Sequence, residues 1–348
     1  MSSLDANTAP VADSNAGEQD LGPLAWVLDE LRKSLEGAIK AMRRFVRDAE
    51  AAHESDLAVL DAGALRMARQ QLHQAYGALE MVGMTSPALV LRAMELAVQK
   101  LVQRPEACTD EAIAVIERAS FALIDYLQVV IAGKSVSPVA LFPQYREVQA
   151  LAGADRVHPA DLWPVERRLR EPQSAVDAEP LPYGTEARAR LDSAVLRIVK
   201  TGDADASLRL RDTCLRMVAA QTDRQVRTFW KICAGFFEAF GSGLLPQDVY
   251  VKRVASRVLL QYATLAKGDP DIADRLVQDL IFFCAQSQVA DLPEGNFPSL
   301  QAVRQAFALD RFKPVDYETV SFGRFDPAVL AQARKRIAAA TETWSALA

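Results

Sequence analysis

The 348-residue chain is poor in the residues that usually announce chemistry. It has three histidines and four cysteines. Cys108, Cys214, Cys233 and Cys284 are widely spaced and form no C-x-x-C pair. That argues against a zinc site or a disulfide framework and for buried, reduced thiols. No metal site and no cofactor are expected. Aromatic residues make up 7 %, the formal net charge is −5, and no Lys/Arg cluster is interleaved with aromatics. Nucleic acid is therefore not an expected partner. No apolar run reaches the roughly 18 residues of a membrane span. Residues 121–132 come nearest, but Asp125 and Gln128 interrupt them. The start, MSSLDANTAPVADSNAGEQD, lacks the basic and apolar regions of a signal peptide. These absences lead to the expectation of a cytoplasmic protein without membrane insertion. G-x-x-x-x-G-K-[ST], G-x-G-x-x-G and G-x-S-x-G are missing, as are the asparagine and glycine-rich boxes of a kinase ATP-binding domain. Acidic neighbours such as Asp29-Glu30 and Asp110-Glu111 do not face each other on a helix and read as cap and surface charges. An enzyme with its own substrate pocket is not indicated, and the oligomeric state is not legible.

What is present points to helices. Half of the residues are apolar, enough for a sizeable core. Ala, Leu, Arg, Glu and Gln dominate, and β-branched runs are short, which predicts an all-α protein. Residues 1–18 have little to bury and read as a disordered start. Residues 19–163 read as a four-helix antiparallel bundle with an appended segment. Its first helix ends near Glu50. The second is capped by Asp56 and ends at Gly83, the third starts at Thr85 or Ser86, and the fourth opens at Thr109. In the appended segment His158 precedes a proline and falls in a loop, with Trp163 packed down. Residues 164–183 turn to Glu, Pro, Ala and Ser and read as a fairly extended linker. Residues 184–348 read as a second helical domain. There Phe229, Trp230, Ile232, Phe236, Phe237 and Phe240 mark a central buried helix. Residues 310–323 read as loop, with some strand propensity at 317–322. A last helix from Asp326-Pro327 carries an apolar face that includes Ala333, Ile337, Ala340 and Trp344.

One stretch combines a histidine with a meaningful spacing, LRMARQQLHQAYGALEMVGM at residues 65–84. Leu57, Leu60, Ala64, Ala68, Leu72, Ala75, Leu79 and Val82 form an apolar stripe at helical period. At about 100° per residue, His73 and Gly77 project opposite it, and Arg66, Arg69, Gln70 and Glu80 share their side. A glycine inside a helix costs about 1 kcal/mol relative to alanine. On a solvated face, one explanation is that another molecule comes close beside the histidine. A neutral imidazole is also a good nucleophile near neutral pH.

These residues resemble the histidine phosphotransfer (HPt) domains of bacterial phosphorelays. The family motif is His, two residues, Lys, Gly, a small residue, and a second Gly six places after the first. Here it reads His73, Gln74, Ala75, Tyr76, Gly77, Ala78 and then Gly83, so Tyr76 stands where the family has Lys. Three longer runs, LGPLAWVLDELRKSLEGAIKAM, LHQAYGALEMVGM and LFPQYREVQALAGADRVHPADLWP, are similar to the N-terminal region of the large CheA-like hybrid histidine kinases that control type IV pili and twitching motility. They are also similar to the related stand-alone scaffold of that pathway. In the resembled proteins the chain continues past such a last helix. The resemblance implies an HPt-like bundle followed by a second helical domain, in a chemosensory two-component protein. Its partner would be a response regulator or a pilus chemosensory scaffold protein. His73 would be the phosphoacceptor, and Tyr76, Gly77, Gly83, Arg66, Arg69, Gln70 and Glu80 would form the docking face. The alternative is a purely structural scaffold that kept the fold and lost the phosphate chemistry.

Overall fold

A computed structural model describes residues 22–53, 62–164, 169–289, 297–324 and 327–347. Asp56, the expected cap of the second helix, Leu57 and Leu60 of its stripe, and the segment 1–18 lie outside them. The described residues form twelve α-helices and no strand, so the all-α reading holds. Among them, no helix is long and apolar enough to cross a membrane.

Helices α1 (Gly22–His53), α2 (Gly63–Met81), α3 (Thr85–Gln103) and α4 (Asp110–Ile131) pack together, α1 on α2, α2 on α3, and α4 back onto α1. The α2 stripe explains this. Leu65, Ala68, Leu72, Ala75 and Leu79 are all buried, and each leucine contributes roughly 1.5–3 kcal/mol. Gly83 has φ +76°, a left-handed turn that glycine makes without penalty. The Met84 N–H then donates to the Leu79 carbonyl at 3.0 Å and ends α2. The third helix starts at Thr85, as expected. Met84 precedes the first turn without a side-chain cap, because the tight return through Gly83 carries Thr85 straight into the helix. Thr109 does cap α4, its Oγ1 accepting the Ala112 N–H.

Helix α5 (Phe142–Ala152) lies against α3 and α4. A 3₁₀ turn, Pro159–Leu162, follows, with His158 as its N-cap and Trp163 buried behind it. Residues 169–183 contain no helix, yet they are fastened down. Glu171 accepts from Arg227 at 2.7 Å and Lys231 at 3.0 Å, and the Leu181 N–H donates to the Arg216 carbonyl at 3.0 Å.

The second part comprises α6 (Thr185–Thr201), α7 (Ala204–Ala220), α8 (Arg224–Gly241), α9 (Val249–Leu265), α10 (Asp274–Gln286), α11 (Pro298–Ala306) and α12 (Pro327–Leu347). Its axis is α8, where the six expected apolar residues are all buried, with α7, α10 and α11 around it. Gly235 permits the close approach of α11. A Cβ there would lie 2.8 Å from Val303 Cγ2 and 3.1 Å from the Ser299 carbonyl. Buried Glu238 accepts the Leu300 N–H at 2.8 Å and so caps α11 from a neighbouring helix.

Residues 317–322 form no strand. Tyr317 and Phe322 are instead buried, and the segment is satisfied by helices of the first part. Gln144 Nε2 donates to the Phe322 carbonyl at 2.8 Å, and Tyr126 meets the Phe322 ring edge-on at 5.6 Å. The backbone at Gly323 passes so near α4 that a Cβ would fall 2.6 Å from the Ala122 nitrogen. On α12, Ala333, Ile337, Ala340 and Trp344 are exposed, so the expected apolar face is left uncovered by the described chain.

Both parts share one continuous core. A buried polar cluster sits where they meet. Asp279 of α10 is 1 % exposed. It accepts from Arg156 at 2.6 and 2.9 Å and from Arg257 of α9. His158 Nδ1 accepts the Ala160 N–H at 3.1 Å and lies 3.2 Å from Asp279 Oδ1. Burial, reinforced by Arg156, Arg257 and Arg253, holds the His158 pKa well below its usual value. Burial likewise pushes the Asp279 carboxyl up to about 6, against the pull of Arg156 and Arg257. The two act in opposite senses. A depressed histidine stabilises the fold above its unfolded pKa of about 6.5 and loses that contribution as pH falls. A raised carboxyl contributes below its unfolded value and loses that contribution as pH rises through about 6. Replacing His158 by Asn, whose Oδ1 can keep the cap, isolates the first effect. Between pH 7 and pH 5, urea unfolding is expected to show the parent losing up to about 2 kcal/mol more stability than His158→Asn. Equal losses would rule out His158 as the titrating group.

Candidate functional site

The buried stripe of α2 fixes the orientation of everything opposite it. The His73 side chain is 63 % exposed, so the second half of the chain leaves it open. Arg66, Arg69, Gln70, Glu80 and Gly83 are exposed too, and Tyr76 and Gly77 are half-buried. His73, Tyr76, Gly77 and Glu80 thus share one patch of α2. Arg66, Arg69 and Gln70 extend it toward the helix start, and Gly83 lies at the turn beyond its end. A Cβ added at Gly77 would meet nothing within 4 Å, so no packing inside this chain requires the glycine.

Two residues absent from the sequence reading complete the site from α3. Glu95 is buried, and its Oε1 lies 3.3 Å from His73 Nδ1. Its Oε2 accepts from Arg92 Nη1 at 2.6 Å. The Arg92 guanidinium sits 5.9 Å from the centre of the Tyr76 ring. Tyr76 itself has a raised pKa, chiefly because of the Glu80 carboxylate beside its hydroxyl. Arg69 Nη1 donates to Gln99 Oε1 at 2.5 Å, a further tie between the two helices. Leu89 and Leu96, at three and four residues from Arg92, give α3 an exposed apolar margin. A signal for Glu95 existed. It falls on the stripe of Ala88, Leu91, Val98 and Leu101, all buried, and a carboxylate on such a stripe needs a partner.

Chemically, a carboxylate at Nδ1 favours the tautomer that keeps the proton there, which leaves the Nε2 lone pair free. Arg92 places a cation on the other side of the same carboxylate. Tyr76 thus has positive charge beside it, supplied by the neighbouring helix.

Residues 176–320 match the family model of the FimL scaffold protein second domain. No curated protein and no solved structure matches the chain. The matched region takes in α6 to α11 and ends just before Phe322 and Gly323, which rest on α4 and α5, and it supports a scaffold family. It stops short of α1–α5 and therefore of His73.

Because Gly77 is unconstrained by its neighbours, Gly77→Ala is expected to stabilise the protein by about 1 kcal/mol, the helix-propensity difference, in urea unfolding. Destabilisation would reveal a packing need that the geometry does not contain. A second expectation concerns the ring. In ¹⁵N spectra at neutral pH, His73 should favour the Nδ1–H tautomer in the parent and shift toward Nε2–H in Glu95→Ala.

Proposed function

We propose that this protein is a docking scaffold of a bacterial chemosensory system that controls type IV pili. Its α2–α3 face is the surface for a response regulator or a partner scaffold protein. The observation that carries the reading is the match of residues 176–320 to the FimL scaffold second domain. The open patch around His73 and Gly77 supports the choice of surface. It combines solvent access, an unfilled space at Gly77 and a mixed rim of Arg69, Glu80, Arg92, Leu89 and Leu96.

The His73–Glu95–Arg92 arrangement favours a second role on the same surface, phosphoryl acceptance. The Nε2 lone pair would attack the phosphorus of an aspartyl phosphate on the docked regulator. The N–P bond forms as the acyl phosphate P–O bond breaks, and the aspartate leaves as carboxylate. The Nδ1 proton stays facing Glu95, and Arg92 offsets part of the added charge. The reverse step returns the group.

Two substitutions separate docking from transfer. With a phosphorylated response regulator as donor, the parent is expected to gain an acid-labile phosphoryl group and His73→Gln to gain none, while both bind the regulator alike. Gly77→Trp is expected to weaken the complex by about tenfold or more, a loss of about 1.4 kcal/mol, with the melting temperature held. Binding without transfer leaves the scaffold role alone. If neither substitution alters binding or transfer, the α2–α3 face is not the docking surface.

A further inference from the structure

Helices α6 and α7 form a hairpin joined through Gly202 and Asp203. An open groove of about 440 Å³ runs between them, and four of its lining residues are arginines. Arg190 and Arg197 are seven residues apart on α6, as are Arg209 and Arg216 on α7. Each pair therefore shares a helix face and spans two turns, about 10 Å. In an antiparallel hairpin, Arg197 and Arg209 fall at the closed end and Arg190 and Arg216 at the other. The connecting turn agrees, since Arg197 and Arg209 both act on the Asp203 carboxylate. The groove thus has two arginines at each end. The hairpin, residues 185–220, holds seven cations against five acids within a chain of net charge −5.

The arginines are not fully spent inside the protein. Arg197 pairs with Asp203, Arg190 with Glu186 at 2.8 Å and Arg216 with Glu179 at 3.2 Å. Arg209 makes no ion pair among the described residues. The exposed Arg190–Glu186 pair holds by at most about 1 kcal/mol, whereas Arg216, which also donates to the Glu179 carbonyl, and the Arg197–Asp203 pair are partly buried. Each guanidinium also has five N–H donors in a fork that fits phosphate oxygens two at a time.

The middle of the groove differs from its ends. Ser193, Asp212 and Thr213 lie there. Asp212 is paired with Arg211 at 2.7 Å. Thr213 Oγ1 already donates to the Arg209 carbonyl, so it has only acceptor capacity left. An unbroken chain of phosphates would run into the Asp212 carboxylate. A hydroxyl-bearing middle would donate to Asp212 and Thr213 and suit Ser193 in either role.

We propose that the α6–α7 groove binds a small molecule with a phosphate at each end of a hydroxylated middle, a bisphosphorylated sugar or nucleoside. The volume lies within the range of small-ligand sites, roughly 300–1,000 Å³. Ala189 and Ala194 supply its only aliphatic side chains, so a ligand would meet chiefly the guanidinium forks and the polar middle.

The test is titration calorimetry of the full chain at fixed ionic strength. The probes are fructose 1,6-bisphosphate, adenosine 3′,5′-bisphosphate, fructose 6-phosphate and tripolyphosphate. One of the two bisphosphates is expected to bind with one-to-one stoichiometry, about tenfold or more tighter than the monophosphate and tripolyphosphate. Which bisphosphate wins distinguishes a sugar from a nucleoside. Arg209→Ser and Arg190→Ser should each weaken binding about tenfold with unchanged melting temperature, and Asp212→Asn should narrow the gap to tripolyphosphate. Affinities that merely rank by ligand charge, no binding of either bisphosphate, or full binding in both arginine variants would overturn the proposal. So would an acidic helical peptide that binds the groove and resists displacement by either bisphosphate.

Discussion

The carboxylate of Asp279 is 1 % exposed, and a buried charge costs several kcal/mol unless it stays paired. Its partners come from different places. Arg156 belongs to the tail of the first helical part, whereas Arg257 stands on α9 beside Asp279's own helix. The pairing therefore fixes one placement of the two parts. It commits α4, α5, α9, α10 and the 309–323 segment to their shared interface. The hairpins that face outward as a result, α2–α3 and α6–α7, carry the two surfaces with chemical potential.

Much of the helical frame was written in local chemistry. Thr109 caps α4, Asp203 caps α7, Asp223 caps α8 and Asp248 caps α9, each accepting a backbone N–H from the first turn. Gly83 closes α2 with the left-handed turn its position suggested. The aromatic crowd on α8 could be stable only at the centre of a domain, and it lies there. Along α2, period alone placed His73 outward.

What local chemistry did not disclose depends on contacts between distant segments. Glu95 became part of the histidine site only when α3 lay beside α2. His158 looked like a loop residue, yet it is buried against Asp279 some 120 positions away. Asp279 interrupts an α10 run that is otherwise almost wholly apolar, LVQDLIFFCA. Glu95 and Asp279 share one signature, an acid on a stripe that packing wants apolar, and each turned out to be held by an arginine. Residues 317–322 are loop, as read, despite their strand propensity. Their strand propensity was real, but the fold offered them helices to lie on and no strand among the described residues to pair with.

The Gly323 N–H donates to Asp125 across 198 residues of intervening chain, and Gly323 rests on the backbone of Ala122. Contacts of such separation close late, after the chain between them has ordered. Domains emerge N-terminal end first during synthesis, so the first bundle leaves the ribosome with Tyr126, Phe142 and Trp163 lacking the rings that later cover them. Until residues 312–323 arrive, the nascent protein shows water an aromatic seam of the kind that chaperones hold. The loop at residues 312–323 thus acts as the latch that closes this seam once the chain is complete enough to reach it.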